Sequence, residues 1–228
     1  MDYYVLSYLL IFISLIITLG AQAWVSISIK KHKKIDNKNR LTGFDIARKI
    51  LDSNGLNDVH IVEVSGNLTD HYDPSRKVVR LSHDIFHGQS ISSTAVAAHE
   101  CGHAIQDKEN YTFMRFRSFL VPFANISSKF GYIAIVIGLI FGIIDLAWIG
   151  IAFELIILLF QLITLPVEFN ASKRAKLQIK RLNLATAEEN KGIKRVLTAA
   201  AFTYVASVAT NLLQILRLVI IIMGRNRD

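Results

Sequence analysis

The sequence predicts a mainly α-helical membrane protein with about four transmembrane helices and a small water-facing α+β region. Three observations carry this expectation. Apolar residues make up 52% of the 228-residue chain, and its mean hydropathy of +0.37 is too oily for an ordinary soluble domain. Those apolar residues are gathered into runs long enough to cross a bilayer. The formal net charge of +8 sits in short basic clusters beside the runs. That pattern fits the cytoplasmic flanks of membrane helices, so no nucleic-acid partner is expected. Cys101 is the single cysteine, which excludes an internal disulfide and a Cys-rich zinc knuckle.

The first span is expected over residues 3–29, where Tyr3 to Ile29 carries no charge. "AQA" at 21–23 resembles a signal-peptidase site, but the chain opens with Asp2 and has no positive leader. The basic block "KKHKKIDNKNR" follows directly and resists export. The expectation is an uncleaved anchor with its N-terminus outside.

Residues 30–118 read as a folded, cytoplasmic region. In "LTGFDIARKILDSNG", Thr42 with Asp45 three later predicts an N-cap, and Asn54-Gly55 a C-cap. Phe44, Ile46, Ala47, Ile50 and Leu51 supply the apolar face between them. "DVHIVEVSG" and "KVVRLS" read as short strands joined by a polar connection containing "DPSR". "SISSTAVAAHECGHAIQD" begins with capping serines and continues as a helix of small residues.

From Phe130 to Val167 the only charges are Asp145 and Glu154. The run is too long for one span, and the break at Asp145 between Gly142 and Gly150 predicts a helical hairpin over 122–167. "SKRAKLQIKR" then returns the chain to the cytoplasm, giving a helical segment over 168–198. Residues 199–223 form the expected fourth span, which leads into the basic "GRNRD".

The chemistry is concentrated in "AVAAHECGHAIQD", residues 95–107. His99 and His103 are one helical turn apart, so both imidazoles project from one face toward a single ion. Glu100 points about 100° around the helix, where a carboxylate can reach metal-activated water without binding the metal. Cys101 lies about 200° from His99 and reads as a buried small residue. Gly102 and Ala97–Ala98 keep the helix slim enough for another backbone to approach. His71 and Tyr72 in "DHYDP" are candidate donors to a developing oxyanion. His83 and His87 form a second helical pair with Asp84, not a glutamate, after the first histidine, and they read as surface residues or supports of a site.

"LTGFDIARKILDSNGL", "DHYDPSRKVVRLS", "AVAAHECGHAIQD" and "LPVEFNASKRA" together resemble the signature blocks of the YugP-type bacterial membrane zinc metallopeptidases. That layout is in turn similar to the HtpX-like and prenyl-protein-protease group. The resemblance implies a zincin-like catalytic region, one Zn2+ per chain and a third metal ligand on a later helix, at Glu168. It also implies that "VVRLS" lies at the cleft edge, where an extended substrate pairs with it. The similar group has an aspartate four residues after its ligand glutamate; this chain has Ser172. Glu154 shares the hydrophobic run with Glu168, but fourteen helical residues separate the two by about 21 Å along the axis.

The resulting expectation is a multi-pass protein of the bacterial cytoplasmic membrane. It would hydrolyse peptide bonds of membrane or membrane-proximal proteins at the cytoplasmic face, using Glu100 and a metal on His99, His103 and Glu168. Its partners would be a peptide or membrane-protein substrate and the bilayer, with a second copy or an adaptor protein left open. A site-two-type intramembrane protease is the alternative enzyme, disfavoured by the polar flank Asp107, Lys108 and Glu109. A silent scaffold has no need of Glu100. A transporter would account for Asp145 and Glu154, but no internal repeat accompanies them.

Overall fold

A computed structural model describes residues 3–225; Asp2 and the last residues of the "GRNRD" tail lie outside them. In chain order the elements are α1 (Tyr3–Lys33), α2 (Gly43–Ser53), β1 (His60–Val64), β2 (His71–Asp73), β3 (Val78–Ser82), α3 (His83–Phe86), α4 (Ile91–Lys108), α5 (Thr112–Phe141), α6 (Ile144–Arg181) and α7 (Ala187–Arg225). The helices α1, α5, α6 and α7 are each long and apolar enough to cross a membrane. With Phe12, Ile16, Leu19, Phe130, Ile133 and Ile140 exposed along them, the protein is a mainly α membrane protein carrying a small α+β region.

The chain divides into two compact units. The first takes residues up to Gln22, Arg115–Leu165 and the chain from Thr203 onward. Its core is built by Ile135 on α5, Ala147 and Ile151 on α6, and Ile215, Leu218 and Ile222 on α7. α5 ends and α6 begins around Gly142, whose φ of +71° is open to glycine at no steric cost. Asp145 lies in the first turn of α6, where the helix dipole favours a carboxylate.

The second unit comprises Ala23–Met114 and Pro166–Phe202. Thr42 caps α2 in a reciprocal capping box with Asp45, and Gly55 follows the C-cap Asn54 at φ +62°. Ile46, Ala47, Ile50 and Leu51 on the inner face of α2 are fully buried against the core shared with α4. Burial of each larger side chain contributes about 1.5–3 kcal/mol. Ser90 caps α4 by accepting from the Ser93 N–H. Pro166 sits inside α6 without ending it, so the third span and the segment beyond it are one helix as far as Arg181.

The sheet corrects one expectation. "VVRLS" is β3, and it is the middle strand of the order β1-β3-β2, paired in parallel with β1 and antiparallel with β2. Both of its hydrogen-bonding edges are therefore occupied, and it cannot be the cleft-edge strand. The edge strands are β1 and β2, the latter formed by His71–Asp73 within the connection read from the sequence as polar loop.

Candidate metal centre

The centre lies within the second unit, where α4 supplies His99, Glu100 and His103 and α6 supplies Glu168. His99 Nε2 is 3.2 Å and His103 Nε2 3.6 Å from Glu168 Oε2. The imidazole centroids are 4.8 Å apart with planes crossed at 85°. His103 and Glu168 are buried, and 15% of the His99 side chain is exposed.

Each histidine is held by its other nitrogen. Gln106 lies one turn beyond His103 and is wholly buried. Its Nε2 donates to the Val167 carbonyl at 2.8 Å and to Asn170 Oδ1 at 3.0 Å. Two acceptors fix the amide orientation, so Gln106 Oε1 accepts from His103 Nδ1 at 3.0 Å. That bond places a proton on Nδ1 and turns Nε2 toward Glu168. His99 Nδ1 meets Ser172 Oγ at 3.2 Å. The serine hydroxyl thus stands beside the imidazole in a chain that lacks the similar group's aspartate. Asn170 also accepts from Arg174 Nε at 2.6 Å, and Arg174 pairs with Glu109 at 2.7 Å, bracing α6 against the end of α4.

Glu100 is buried beside this cluster. Desolvation pushes its carboxyl up to about 7, against the opposing pull of His99 and of a hydrogen bond from the Tyr72 backbone N–H. Through that N–H the edge strand β2 touches the carboxylate. The Tyr72 hydroxyl donates to Asp107 at 3.0 Å, and burial together with that carboxylate holds the phenol well above its ordinary range. His71 is exposed, with Nδ1 2.8 Å from the Thr69 carbonyl. Donation to a carbonyl requires a protonated Nδ1, so His71 Nε2 can donate only from the imidazolium. Beneath β2, Asp70 accepts from the backbone and side chain of Ser82, and its carboxyl is raised chiefly by burial.

The remaining candidates fall outside the cluster. Cys101 is buried, its thiol donates to the Ala47 carbonyl, and burial pushes its pKa up. Glu154 belongs to the first unit, where it lies beside Gly131 of α5. His83 Nδ1 and His87 Nε2 are bridged by Glu63 of β1 at 2.6 and 2.9 Å, a group exposed at all three residues. The two histidines hold the Glu63 carboxyl below its ordinary value. Gln106 and Asn170 are the functional residues the sequence did not single out. Glutamine one turn after the second histidine is the only local signal for them.

The ligand atoms of His99, His103 and Glu168 fit a zinc ion. Bonds of about 2.0–2.1 Å at tetrahedral angles place ligand atoms about 3.4 Å apart, and the two observed separations bracket that value. Two imidazoles and one carboxylate also form a donor set that leaves one tetrahedral position for water.

A membrane protein with two histidines on α4 and one carboxylate on α6 grouped so that they could hold a metal ion falls in the class of candidate membrane metalloproteins. Comparison with known proteins narrows the class. Residues 7–223 match the family described as "Putative neutral zinc metallopeptidase", and the chain belongs to that family. It is 42% identical over 218 residues to the "Putative membrane protease YugP" of Bacillus subtilis (strain 168), an alignment covering 93% of this chain and 97% of that protein. No solved structure matches the chain.

Proposed function

We propose that this protein is a zinc-dependent endopeptidase of the cytoplasmic membrane that cleaves membrane or membrane-proximal proteins at the cytoplasmic face. The observation that carries the reading is the convergence of His99 Nε2, His103 Nε2 and Glu168 Oε2 with Glu100 buried beside them. His99, His103 and Glu168 would hold one zinc. When bound, zinc supplies Lewis acidity, polarising a scissile carbonyl and making water more acidic. The rest of the chemistry is assigned to the chain. Glu100 accepts the proton of the attacking water and delivers it to the leaving amine. The Tyr72 N–H and the helix around Glu100 keep its carboxylate aimed. Gln106 and Ser172 hold the two imidazoles in the orientation that directs Nε2 inward. The outer edge of β2, in place of β3, offers backbone groups to an extended substrate. His71, at the start of that strand, is the oxyanion candidate whose side chain is exposed.

The cytoplasmic assignment follows from charge. Lys30, Lys31, Lys33 and Lys34 follow the first apolar run, and Lys173, Arg174, Lys176, Lys180 and Arg181 follow the third. A substrate trap tests the whole reading. Membrane proteins captured by full-length Glu100→Gln should include species that accumulate as cleaved fragments with the active protein. A capture set identical to that of His99→Ala, with no fragments, would remove the peptidase assignment.

A further inference from the structure

A cavity of about 490 Å3 within the second unit lies between the end of α1 and the start of α7. It contains none of the residues of the metal centre. One helical face of α1 lines it with Trp24, Ile27, Ser28 and Lys31, joined by His32, and one face of α7 lines it with Lys191, Lys194, Arg195 and Thr198. Both sets recur at i, i+3/i+4 and i+7, so each helix presents a continuous stripe to the same space.

Two properties of the cavity point to its ligand. The first is charge. Four cations and no carboxylate line it, and among the described residues only Lys191 is ion-paired, with Glu188 at 2.8 Å. Glu188 offsets only part of this charge, reaching Lys191 and Arg195; the remaining cations repel one another, and a bound anion relieves that repulsion. The Ser28 hydroxyl, on a residue 7% exposed, is a buried donor with no hydrogen-bond partner. An unpaired buried hydroxyl is costly, and turning about χ1 toward the cavity would let an anion oxygen satisfy it.

The second property is position along the helices. On α1 the uncharged run ends at Ile29, and Lys30, Lys31 and Lys33 follow. On α7 the order is reversed: Lys191, Lys194 and Arg195 precede the run beginning at Val196. The two helices therefore change from apolar to basic at the same level. Trp24 and Phe202 meet edge-on, with ring centroids 5.1 Å apart, on the apolar side of that level. An aromatic pair under a ring of cations marks a bilayer boundary, where acyl chains end and headgroups begin.

We propose that this cavity binds the phosphate headgroup of an anionic phospholipid. Lys31, Lys194, Arg195 and the Ser28 hydroxyl contact the phosphate, and an acyl chain lies along Trp24 and Ile27. A soluble phosphate would use the cations but leave the aromatic side unfilled, so the lipid is the source assigned.

The test uses full-length protein reconstituted in vesicles of equal phosphatidylglycerol and phosphatidylcholine with identical chains, and native mass spectrometry of the lipid retained after detergent extraction. Retention of phosphatidylglycerol should exceed that of phosphatidylcholine by on the order of tenfold. The preference should vanish in Lys31→Gln/Lys194→Gln/Arg195→Gln and persist in Lys31→Arg/Lys194→Arg. Removing three charges at the exposed Lys49, Arg76 and Lys77 should leave it intact. Equal loss at those control positions, an unchanged preference in the triple variant, or full displacement of the lipid by inorganic phosphate would each overturn the proposal. A readout without pocket variants uses Trp148→Phe, which leaves Trp24 as the sole tryptophan. Brominated phosphatidylglycerol should then quench Trp24 at a lower mole fraction than brominated phosphatidylcholine, and equal quenching overturns the site.

Discussion

Gly102 lies directly against Ala171: a Cβ placed on the glycine would sit 2.5 Å from the Ala171 carbonyl oxygen. The metal helix and α6 are therefore in backbone contact one residue before His103. Gly102→Ala must push the helices apart, because a carbonyl cannot swing away as a flexible side chain can. Zinc content of the purified variant should fall well below one per chain. A variant that binds zinc as tightly as wild type would show that the helices tolerate the added methyl.

Gln106→Leu removes the group that fixes the His103 tautomer and takes one donor from the Val167 carbonyl and one from Asn170, which keeps Arg174. Loss of such a supporting hydrogen bond lowers metal affinity by about 10–100-fold. Competition against a calibrated chelator measures this. Equal zinc affinity in the variant would show that His103 orients itself without help.

Glu100→Gln should retain zinc and lose peptide cleavage by about 100-fold or more, since proton transfer has no other carrier. The same residue makes a prediction about stability. Its carboxyl stands at about 7 in the folded chain, raised by burial from an ordinary 4.5. Between those values the folded, metal-free chain holds a proton that the unfolded chain has released, so stability falls as pH rises through this window and levels off above it. With chelator present, the wild-type Tm should drop more between pH 5 and pH 7.5 than that of Glu100→Gln. Parallel curves would contradict the burial argument.

Zinc should be lost in Glu168→Gln and kept in Glu154→Gln, because only Glu168 belongs to the unit that contains His99 and His103. Elemental analysis should give one zinc per wild-type chain and the same value in His83→Ala/His87→Ala. The opposite pattern at the two glutamates would move the centre into the bilayer.

Sidedness is tested with single cysteines in a Cys101→Ser background. A cysteine at Lys34 should resist a membrane-impermeant reagent in intact cells, and one beside Asp145 should react. Ready labelling at position 34 inverts the topology.

The parts of this architecture that sequence made legible are those set by local rules. Thr42 and Asp45 bracket a helix start within one turn, and the structure closes that capping box. The four apolar runs show their length directly and form four long helices. His99 and His103 share a face by helical periodicity alone. The proposed third ligand follows no such rule: Glu168 is 69 residues from His99, and only resemblance to a known layout points to it. β2 escaped notice because three residues, "HYD", give no alternation to read and pair only because β3 is already in place. The edge position expected for β3 rests on resemblance alone, and its parallel pairing with β1 is a tertiary fact that no local pattern carries. Gln106 looked like one more polar residue at a helix end until Val167 and Asn170 were brought beneath it.

The 69-residue gap between His99 and Glu168 also sets an order of events during synthesis. On the proposed assignment, a ribosome that has just finished α4 has made two imidazoles and a general base, but the carboxylate that would complete the set is still untranslated. Everything in α5, and most of α6, must emerge before Glu168 does. The nascent chain thus passes through the translocation machinery, among other unfolded and cleavable polypeptides, without a complete metal centre. Competence would then arrive only once the membrane hairpin has been made, and the order of the genetic text itself would act as a safety catch.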